Sequence, residues 1–231
     1  MSTNAPQYRH EFKYVVSAAQ IPLLRSRISS FMSPDPHTGS AGDYEIRSLY
    51  FDDYHNRCFY ENENGTDPRE KFRIRIYNHS AAHITLECKR KEHGMTRKTA
   101  CPLTRQQAEC LLQDDRLSDP ADLPPLLRKL DLLRQLKHVH PVIVVEYNRS
   151  PFIYRDGNVR VTFDCNISSS TQIGQLFSSY LSVRPILSSG QHLMEVKYDS
   201  FLPDFIYRSQ NLGSLRQTAF SKYYLCRKYS L

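Results

Sequence analysis

Strict alternation of apolar and polar side chains marks the stretch Phe72-Arg73-Ile74-Arg75-Ile76-Tyr77. Residues i and i+2 of a β-strand share a face, so this pattern predicts a strand with one apolar and one charged face. The same period of two runs through residues 84–89, 159–164 and 194–198. Further strands are predicted over residues 8–16, 46–52, 95–101 and 142–148. Roughly eight strands is the number at which a closed barrel has room for side chains or one ligand.

Helices are fewer in the predicted fold. The run Thr104-Arg-Gln-Gln107 is a capping box and predicts a helix that begins directly after it. Another helix is predicted over residues 22–31, because proline fits the first helical position, here Pro22, better than a helix interior. Residues 168–189 are rich in serine and are predicted to form a loop with a short helix.

A longer helix is predicted between these regions. Asp122 is its predicted N-cap, and Pro124 and Pro125 fall in its first turn. Its predicted apolar stripe consists of Leu126, Leu130, Leu133 and Leu136.

The net charge of the chain limits the kinds of partner that it is expected to bind. The chain has 231 residues, with 31 Lys and Arg against 24 Asp and Glu, a net charge of +7 and an isoelectric point near 9.1. A basic surplus is typical of proteins whose partner is nucleic acid, an acidic membrane or a phosphorylated small molecule, although a merely basic soluble protein also has this composition. No internal repeat or low-complexity linker occurs, so residues 1–231 are predicted to form a single domain.

The motifs that the sequence lacks exclude several classes of protein. None of the 8 glycines falls in a dinucleotide-binding or Walker-type pattern. The first 14 residues have no apolar signal region, and the longest uncharged stretch, residues 165–183, is half polar, so neither a secretory signal nor a membrane span is predicted. The 6 cysteines form no C-x-x-C pair and are typical of reduced thiols in a cytoplasmic protein.

The polar faces of the predicted strands carry pairs of charges at a spacing of two residues. Three strands repeat one pattern, which is Glu11-x-Lys13, Glu87-x-Lys89 and Glu195-x-Lys197. Two more carry arginine, in Arg73-x-Arg75 and Arg160-x-Thr162-x-Asp164. Such faces can simply point at water. They also suit a wet cavity filled by a polyanion, with arginine and lysine binding phosphate and isolated carboxylates holding a divalent cation.

Eight short motifs follow one another along the chain. They are Arg9-His-Glu11-Phe-Lys13-Tyr14, Arg47-Ser-Leu-Tyr50-Phe51-Asp52, Arg69-Glu-Lys-Phe-Arg73-Ile-Arg75-Ile-Tyr77, Glu87-Cys-Lys89-Arg-Lys91, Tyr147-Asn-Arg149, Arg160-Val-Thr-Phe-Asp164, Glu195-Val-Lys197-Tyr198 and Ser221-Lys222-Tyr223. In this order they resemble the motifs of the VTC domain, the catalytic domain of the vacuolar transporter chaperone polyphosphate polymerases. The domain belongs to the triphosphate tunnel metalloenzymes. The resemblance implies an α+β, mainly antiparallel fold in which an eight-stranded closed β-barrel forms a tunnel with helices packed outside.

The resemblance also implies roles for individual residues. The phosphate-contacting catalytic residues are expected to be Lys13, Arg73, Arg75, Lys89, Arg149, Arg160 and Lys222. Further substrate-binding residues are expected to be Lys91, Lys98, Lys197 and Arg9. Glu195 matches the glutamate that binds Mn²⁺ or Mg²⁺, and its expected helpers are Glu11, Glu87 and Asp164. The first motif opens with Arg9 where the adenylyl cyclase and thiamine triphosphatase branch has glutamate, which favours the VTC branch.

The activity that the resemblance implies is a metal-dependent polyphosphate polymerase, which transfers the γ-phosphate of ATP to polyphosphate or to a pyrophosphate primer. Two alternatives stay open: a triphosphatase or tripolyphosphatase in the same tunnel, and a non-enzymatic polyphosphate sensor. Nucleic acid is not an expected partner, because the basic residues alternate along strands and no RNP-like strand occurs. With neither an SPX domain nor a membrane anchor predicted, product export would require a separate membrane subunit.

Overall fold

The computed structural model describes residues 8–39, 42–117, 122–210 and 215–230. The chain divides into two compact units. Unit 1 comprises Met1–Glu45, Tyr147–Ile167 and Pro185–Phe220, and unit 2 comprises Ile46–Glu146, Ser168–Arg184 and Ser221–Leu231. The assignment of residues 1–231 to a single domain stays a prediction.

Ten strands occur in the described part of the chain. They are β1 (His10–Ser17), β2 (Ser33–Pro34), β3 (Tyr44–Asp52), β4 (Arg69–Tyr77), β5 (Ser80–Glu92), β6 (Met95–Leu103), β7 (His140–Tyr154), β8 (Val159–Ser170), β9 (Arg184–Pro185) and β10 (Gln191–Tyr198). Each of the eight longer strands overlaps one of the eight predicted strands, and four of these, β4, β5, β8 and β10, were located by alternation. The two-residue strands β2 and β9 are too short to show a period.

The helices are α1 (Gln20–Ile28), α2 (Arg57–Glu63), α3 (Arg105–Gln113), α4 (Pro125–Lys137), α5 (Asp204–Ser209) and α6 (Lys222–Lys228). The capping box of α3 is confirmed, since the Thr104 side chain accepts from the Gln107 amide at 3.1 Å and the Gln107 side chain accepts from the Thr104 amide at 2.9 Å. None of the helices in the described ranges is long and apolar enough to cross a membrane.

The other helix predictions need correction. Helix α1 begins at Gln20, because Ser17 and Gln20 exchange side-chain-to-amide hydrogen bonds ahead of it, and Pro22 falls inside the first turn, where its missing N–H is not needed. Helix α4 is not capped by Asp122, since Pro124 is its N-cap residue and no side chain caps it. Of the residues predicted as a loop from 168 onward, Ser168–Ser170 continue β8, followed by a 3₁₀ turn at Ile173–Gln175.

The apolar stripe of α4 is also rotated from its predicted position. Leu127 is buried, whereas Leu136 is 69% exposed. Leu126 and Leu130 are buried as predicted, and Leu133 is partly buried against the same core. The buried face of α4 therefore includes Leu127 in its first turn, and Leu136 in its last turn lies outside the core.

In unit 1 the sheet order is β1-β10-β8-β7, where β7 contributes the half from Tyr147 onward. The β1–β10 and β10–β8 pairs are antiparallel. The apolar residues of the strand alternation, such as Val161, Phe163 and Val196, are buried against α1 through Leu24 and Ile28. Burial of this face is the main stabilising contribution, at about 25 cal/mol for each Å² of apolar surface removed from water.

In unit 2 the sheet order is β7-β3-β4-β5-β6, with β7 contributing its residues up to Glu146. The β3–β4, β4–β5 and β5–β6 pairs are antiparallel. Phe72, Ile74 and Ile76 are buried in a core that α3 and α4 help to form. The alternating residues of the same strands therefore occupy the opposite, charged face.

Candidate functional site

The charged face of unit 2 is dominated by cations. We call it the basic face and define it by seven residues of three neighbouring strands, Lys71, Arg73, Arg75, Glu87, Lys89, Lys91 and Lys98. Directly opposed residues of antiparallel strands share a face, and the register places Arg73 opposite Glu87. Six cations and one carboxylate therefore occupy this set of positions.

Three lysines form a row across the basic face. Lys71 of β4 lies directly opposite Lys89 of β5, and Lys89 lies directly opposite Lys98 of β6. Like charges directly opposite one another destabilise a sheet, by roughly 0.2–1 kcal/mol for each pair. A polyanion bound along the row would remove this repulsion, because it places negative charge between the ammonium groups.

Glu87 is the carboxylate that holds the two arginines of the basic face together. Its side chain is buried and lies 2.6 Å from Nη2 of Arg73, 2.9 Å from Nζ of Lys98 and 3.9 Å from Nη1 of Arg75. Burial raises the pKa of the Glu87 carboxyl, but Arg73, Arg75 and Lys98 together lower it far below its ordinary value. Glu87 is therefore ionised in the folded protein at neutral pH.

Strand β3 orients these arginines from the other side. Nη1 of Arg73 donates to the Tyr50 hydroxyl at 2.9 Å, and Nε of Arg75 donates to the Ser48 hydroxyl at 3.3 Å. Sequence reasoning did not assign Ser48 or Tyr50 to the site. Their alternation on β3 is a signal that could have done so, but their partners depend on strand register, which alternation alone does not give.

The start of helix α6 contacts the same unit's basic face. Nζ of Lys71 donates to the Ser221 hydroxyl at 3.2 Å and lies 5.3 Å from the centre of the Tyr223 ring. Ser221 caps the helix by accepting from the Tyr224 amide. Lys222, an expected phosphate contact, is the first residue of α6 and is buried in unit 2. Lys71 was not a predicted site residue, although it precedes Arg73 by two positions and alternation places it on this face.

Unit 1 carries a different charged set, which we call the mixed cluster. Its members are Glu11 and Lys13 on β1, Glu195 and Lys197 on β10, Thr162 and Asp164 on β8, and Arg149 on β7. Lys13 lies directly opposite Glu195, and Glu11 lies directly opposite Lys197. The cluster contains three carboxylates and three cations, so its formal charges balance, in contrast to the basic face.

Glu195 contacts all three cations of the mixed cluster. Its buried carboxylate lies 2.6 Å from Nζ of Lys197, 3.4 Å from Nη2 of Arg149 and 3.9 Å from Nζ of Lys13. Lys13 and Lys197 also contact Glu11, at 3.5 and 3.4 Å. Two carboxylates therefore share two ammonium groups, and carboxylate oxygens of this kind suit a hard divalent cation such as Mg²⁺ or Mn²⁺.

The buried cation of the mixed cluster is Arg149. It binds the Asp164 carboxylate through two hydrogen bonds of 2.7 Å. Burial lowers the pKa of the Arg149 guanidinium, but Asp164, Tyr147 and Glu195 raise it well above its ordinary value. The guanidinium is therefore charged and fixed in orientation.

Thr162 differs from its charged neighbours, because none of the described residues forms a hydrogen bond with its hydroxyl group. The residue is fully buried, and its Oγ1 has no hydrogen-bond partner there. A buried hydroxyl without a partner costs about 1–3 kcal/mol.

Two predicted site residues of unit 1 have partners outside the mixed cluster. Nη2 of Arg160 lies 2.6 Å from the buried Asp35 carboxylate, which also contacts Nδ1 of His37 at 2.8 Å. Arg9 lies 2.7 Å from the Asp199 carboxylate. In unit 1 the structure brings together the other expected residues, which are Lys13, Arg149, Lys197, Glu11, Asp164 and Glu195. In unit 2 it brings together Arg73, Arg75, Lys98 and Glu87. Lys89 and Lys91 share their strand face, and the role of each residue stays a prediction.

Solved structures show which fold these strands adopt. A proposed adenylate cyclase from Bacillus halodurans is 16% identical, with a TM-score of 0.51, and the match covers 92% of this chain and 95% of that one. A proposed adenylyl cyclase from Hippeastrum, described as having a dominant triphosphatase activity, is 12% identical, with a TM-score of 0.54, and the match covers 97% of both chains. The fold is thus the α+β, mainly antiparallel triphosphate tunnel fold, as predicted.

The family follows from the sequence itself. The VTC domain model matches residues 8–231, so the chain belongs to the VTC domain family. Domains of this kind act on phosphate substrates. A search of curated proteins found no significant match.

Proposed function

We propose that this chain is a metal-dependent polyphosphate polymerase that transfers the γ-phosphate of ATP to a polyphosphate or pyrophosphate primer. The observation that supports it most directly is the row of Lys71, Lys89 and Lys98, in which three lysines lie directly opposite one another on adjacent strands. A linear polyanion matches such a row better than a single phosphate does, because its charges repeat along the chain.

The basic face of unit 2 binds phosphate in this proposal. Arg73 and Arg75 present planar guanidinium groups, which suit phosphate oxygens, while the lysines act as compact charges. Glu87, Tyr50 and Ser48 hold the two arginines in place before substrate arrives. Preorganised charges of this kind stabilise the charge that develops on a transferring phosphoryl group.

The mixed cluster of unit 1 holds the divalent cation through Glu195, with Glu11 as a second carboxylate. The fit rests on the donor set, since the Glu11 and Glu195 carboxylates both contact the ammonium groups of Lys13 and Lys197, and carboxylate oxygens suit a hard divalent cation. Bound there, Mg²⁺ or Mn²⁺ would neutralise negative charge on phosphate oxygens. Lys13, Lys197 and Arg149 of the same cluster would bind phosphate oxygens.

No protein nucleophile is required for the reaction. An oxygen of the primer's terminal phosphate, which is already anionic, attacks the γ-phosphorus in line, the new P–O–P bond forms and the bond to ADP breaks. The protein contributes position and electrostatic stabilisation, as it does in phosphoryl transfer generally.

The test is incubation of the purified protein with ATP and Mn²⁺, with and without pyrophosphate, followed by ³¹P NMR. We expect growth of the internal-phosphate signal together with ADP. Orthophosphate and ADP without internal phosphate would identify a triphosphatase, the alternative that the activity described for the Hippeastrum relative supports. An unchanged spectrum combined with tight polyphosphate binding would identify a sensor.

A pair of variants connects this activity to the mixed cluster. Glu195→Gln keeps the volume of the side chain and removes one charge, so metal-dependent turnover is expected to be lost while the circular dichroism spectrum stays the same. Glu109→Gln makes the same chemical change on the exposed surface of α3 and is the matched control. Full activity of the Glu195 variant would contradict its role in holding the metal.

A further inference from the structure

The unpartnered hydroxyl of Thr162 lies within the face that carries the mixed cluster. By strand alternation Thr162 shares its face with Asp164 and Arg160. In the β8–β10 register it lies directly opposite Glu195. Its residue is fully buried, and Oγ1 has no hydrogen-bond partner among the described residues.

A packing role does not account for a hydroxyl at this position. Valine has the same shape as threonine and high strand propensity, and this strand already uses valine at positions 159 and 161. In a buried position with no partner, valine would cost less than threonine, because it carries no polar group to desolvate. An unsatisfied buried polar group in a folded protein therefore calls for a partner such as an ion.

The neighbouring charges identify the kind of partner. Thr162 has two carboxylate neighbours in the strand pattern, Glu195 directly opposite and Asp164 two residues on. Both oxygens of Asp164 accept from Arg149, so Glu195 is the carboxylate that can act together with the hydroxyl. Carboxylates attract a cation and repel an anion, and a hydroxyl oxygen is a neutral ligand that hard divalent cations accept beside carboxylates. Threonine and serine hydroxyls have this role at the Mg²⁺ of nucleotide-binding loops.

We propose that the Thr162 hydroxyl oxygen is a direct ligand of the divalent cation held by Glu195. The inference rests on the proposed function, because it assigns one more ligand to the same cation. It adds a neutral oxygen ligand beside the Glu195 carboxylate, and it accounts for a buried hydroxyl that has no hydrogen-bond partner among the described residues.

The test measures Mn²⁺ binding without nucleotide, from the free-Mn²⁺ signal in electron paramagnetic resonance, for wild type, Thr162→Val and Thr162→Ser. The valine variant is expected to bind Mn²⁺ about tenfold or more weakly, and the serine variant, which keeps the hydroxyl, within about threefold of wild type. Thr99→Val, on the exposed side of β6, is the matched control and is expected to bind as wild type does.

Thermal denaturation without metal separates a ligand from a packing residue. If Thr162 is a ligand, metal-free Thr162→Val is expected to be at least as heat-stable as metal-free wild type. The rise in Tm on adding Mn²⁺ is expected to be smaller for this variant than for wild type. Equal Mn²⁺ affinity in the valine variant and wild type would overturn this inference and leave the proposed function standing. Absence of Mn²⁺ binding by wild type would overturn both.

Discussion

Arg149 and Asp164 are joined by two parallel hydrogen bonds, from Nε to Oδ1 and from Nη2 to Oδ2, each of 2.7 Å. Both residues are buried, and Nη2 of Arg149 also lies 3.4 Å from Glu195. The pair therefore fixes one guanidinium beside the carboxylate that we propose as the main metal ligand.

Removal of one partner of this pair is expected to destabilise the protein strongly. Asp164→Leu leaves a buried guanidinium without its carboxylate, which costs about 3–5 kcal/mol in free energy of unfolding, measured by urea denaturation. The double variant Arg149→Met with Asp164→Leu removes both charges and is expected to recover a large part of that loss. A double variant as unstable as the sum of the two single variants would contradict the coupling.

The lysine row leads to the opposite expectation for stability. Lys89→Met removes the middle charge, so the metal-free, ligand-free protein is expected to keep or gain stability, by up to about 1 kcal/mol. The rise in Tm caused by tripolyphosphate is expected to shrink, because one cation of the row is gone. Lys137→Met makes the same change at the end of α4 and should leave the tripolyphosphate effect unaltered. A marked loss of ligand-free stability in the Lys89 variant would show that repulsion along the row is not the dominant effect.

Glu87 makes stability depend on pH in the acid range. Its pKa is lower in the folded protein than the ordinary value of 4.5, so its contribution is fully present above that value and is lost as the pH falls below it. The loss amounts to about 1.4 kcal/mol for each pH unit while the folded protein keeps the group ionised.

Urea denaturation of Glu87→Gln checks this expectation. At pH 7 the variant is expected to be less stable than wild type by about 3 kcal/mol, and the difference is expected to shrink steadily between pH 4.5 and pH 3. Glu109→Gln, on the exposed surface, serves as the control with no such change. A constant difference between wild type and the Glu87 variant across this range would contradict the lowered pKa.

Gly157 in the turn between β7 and β8 is expected to tolerate no side chain. Its φ is +74°, and an added Cβ would lie 2.6 Å from the carbonyl oxygen of Phe201. Gly94 has a similar φ of +77° but open space around the Cβ position, so Gly94→Ala measures the backbone cost alone, about 1 kcal/mol. Gly157→Ala is expected to lose clearly more in urea denaturation. Equal losses for the two variants would show that the Phe201 backbone moves away freely.

The sequence predicted the strands well because alternation is a local signal. Both the buried residues Ile74 and Val196 and the charged residues Arg75 and Glu195 fell on the expected faces. Helix α4 was predicted less well. The choice between Leu127 and Leu136 as core residues depends on how the helix lies on the sheet, and an apolar stripe at helical spacing does not encode that.

The candidate site could be predicted by residue type but not by partner. Glu87 and Glu195 occur in the same Glu-x-Lys pattern, yet the register places Glu87 beside two arginines and Glu195 opposite a lysine and a threonine. Register depends on strand pairs that are distant in sequence. For the same reason Asp35, which binds Arg160, could not be recognised from its neighbours in the chain.

Most of unit 2 comes from one continuous stretch, Ile46–Glu146, whereas the sheet of unit 1 pairs β1 with β10, so that His10 lies opposite Tyr198. During synthesis on a ribosome, strands β3 to β6 of unit 2 can pair before β10, the partner of β1, has been synthesised. We therefore expect the contact between Lys13 and Glu195 to be among the last to form, and the proposed cation site to be complete only after β10 has been synthesised.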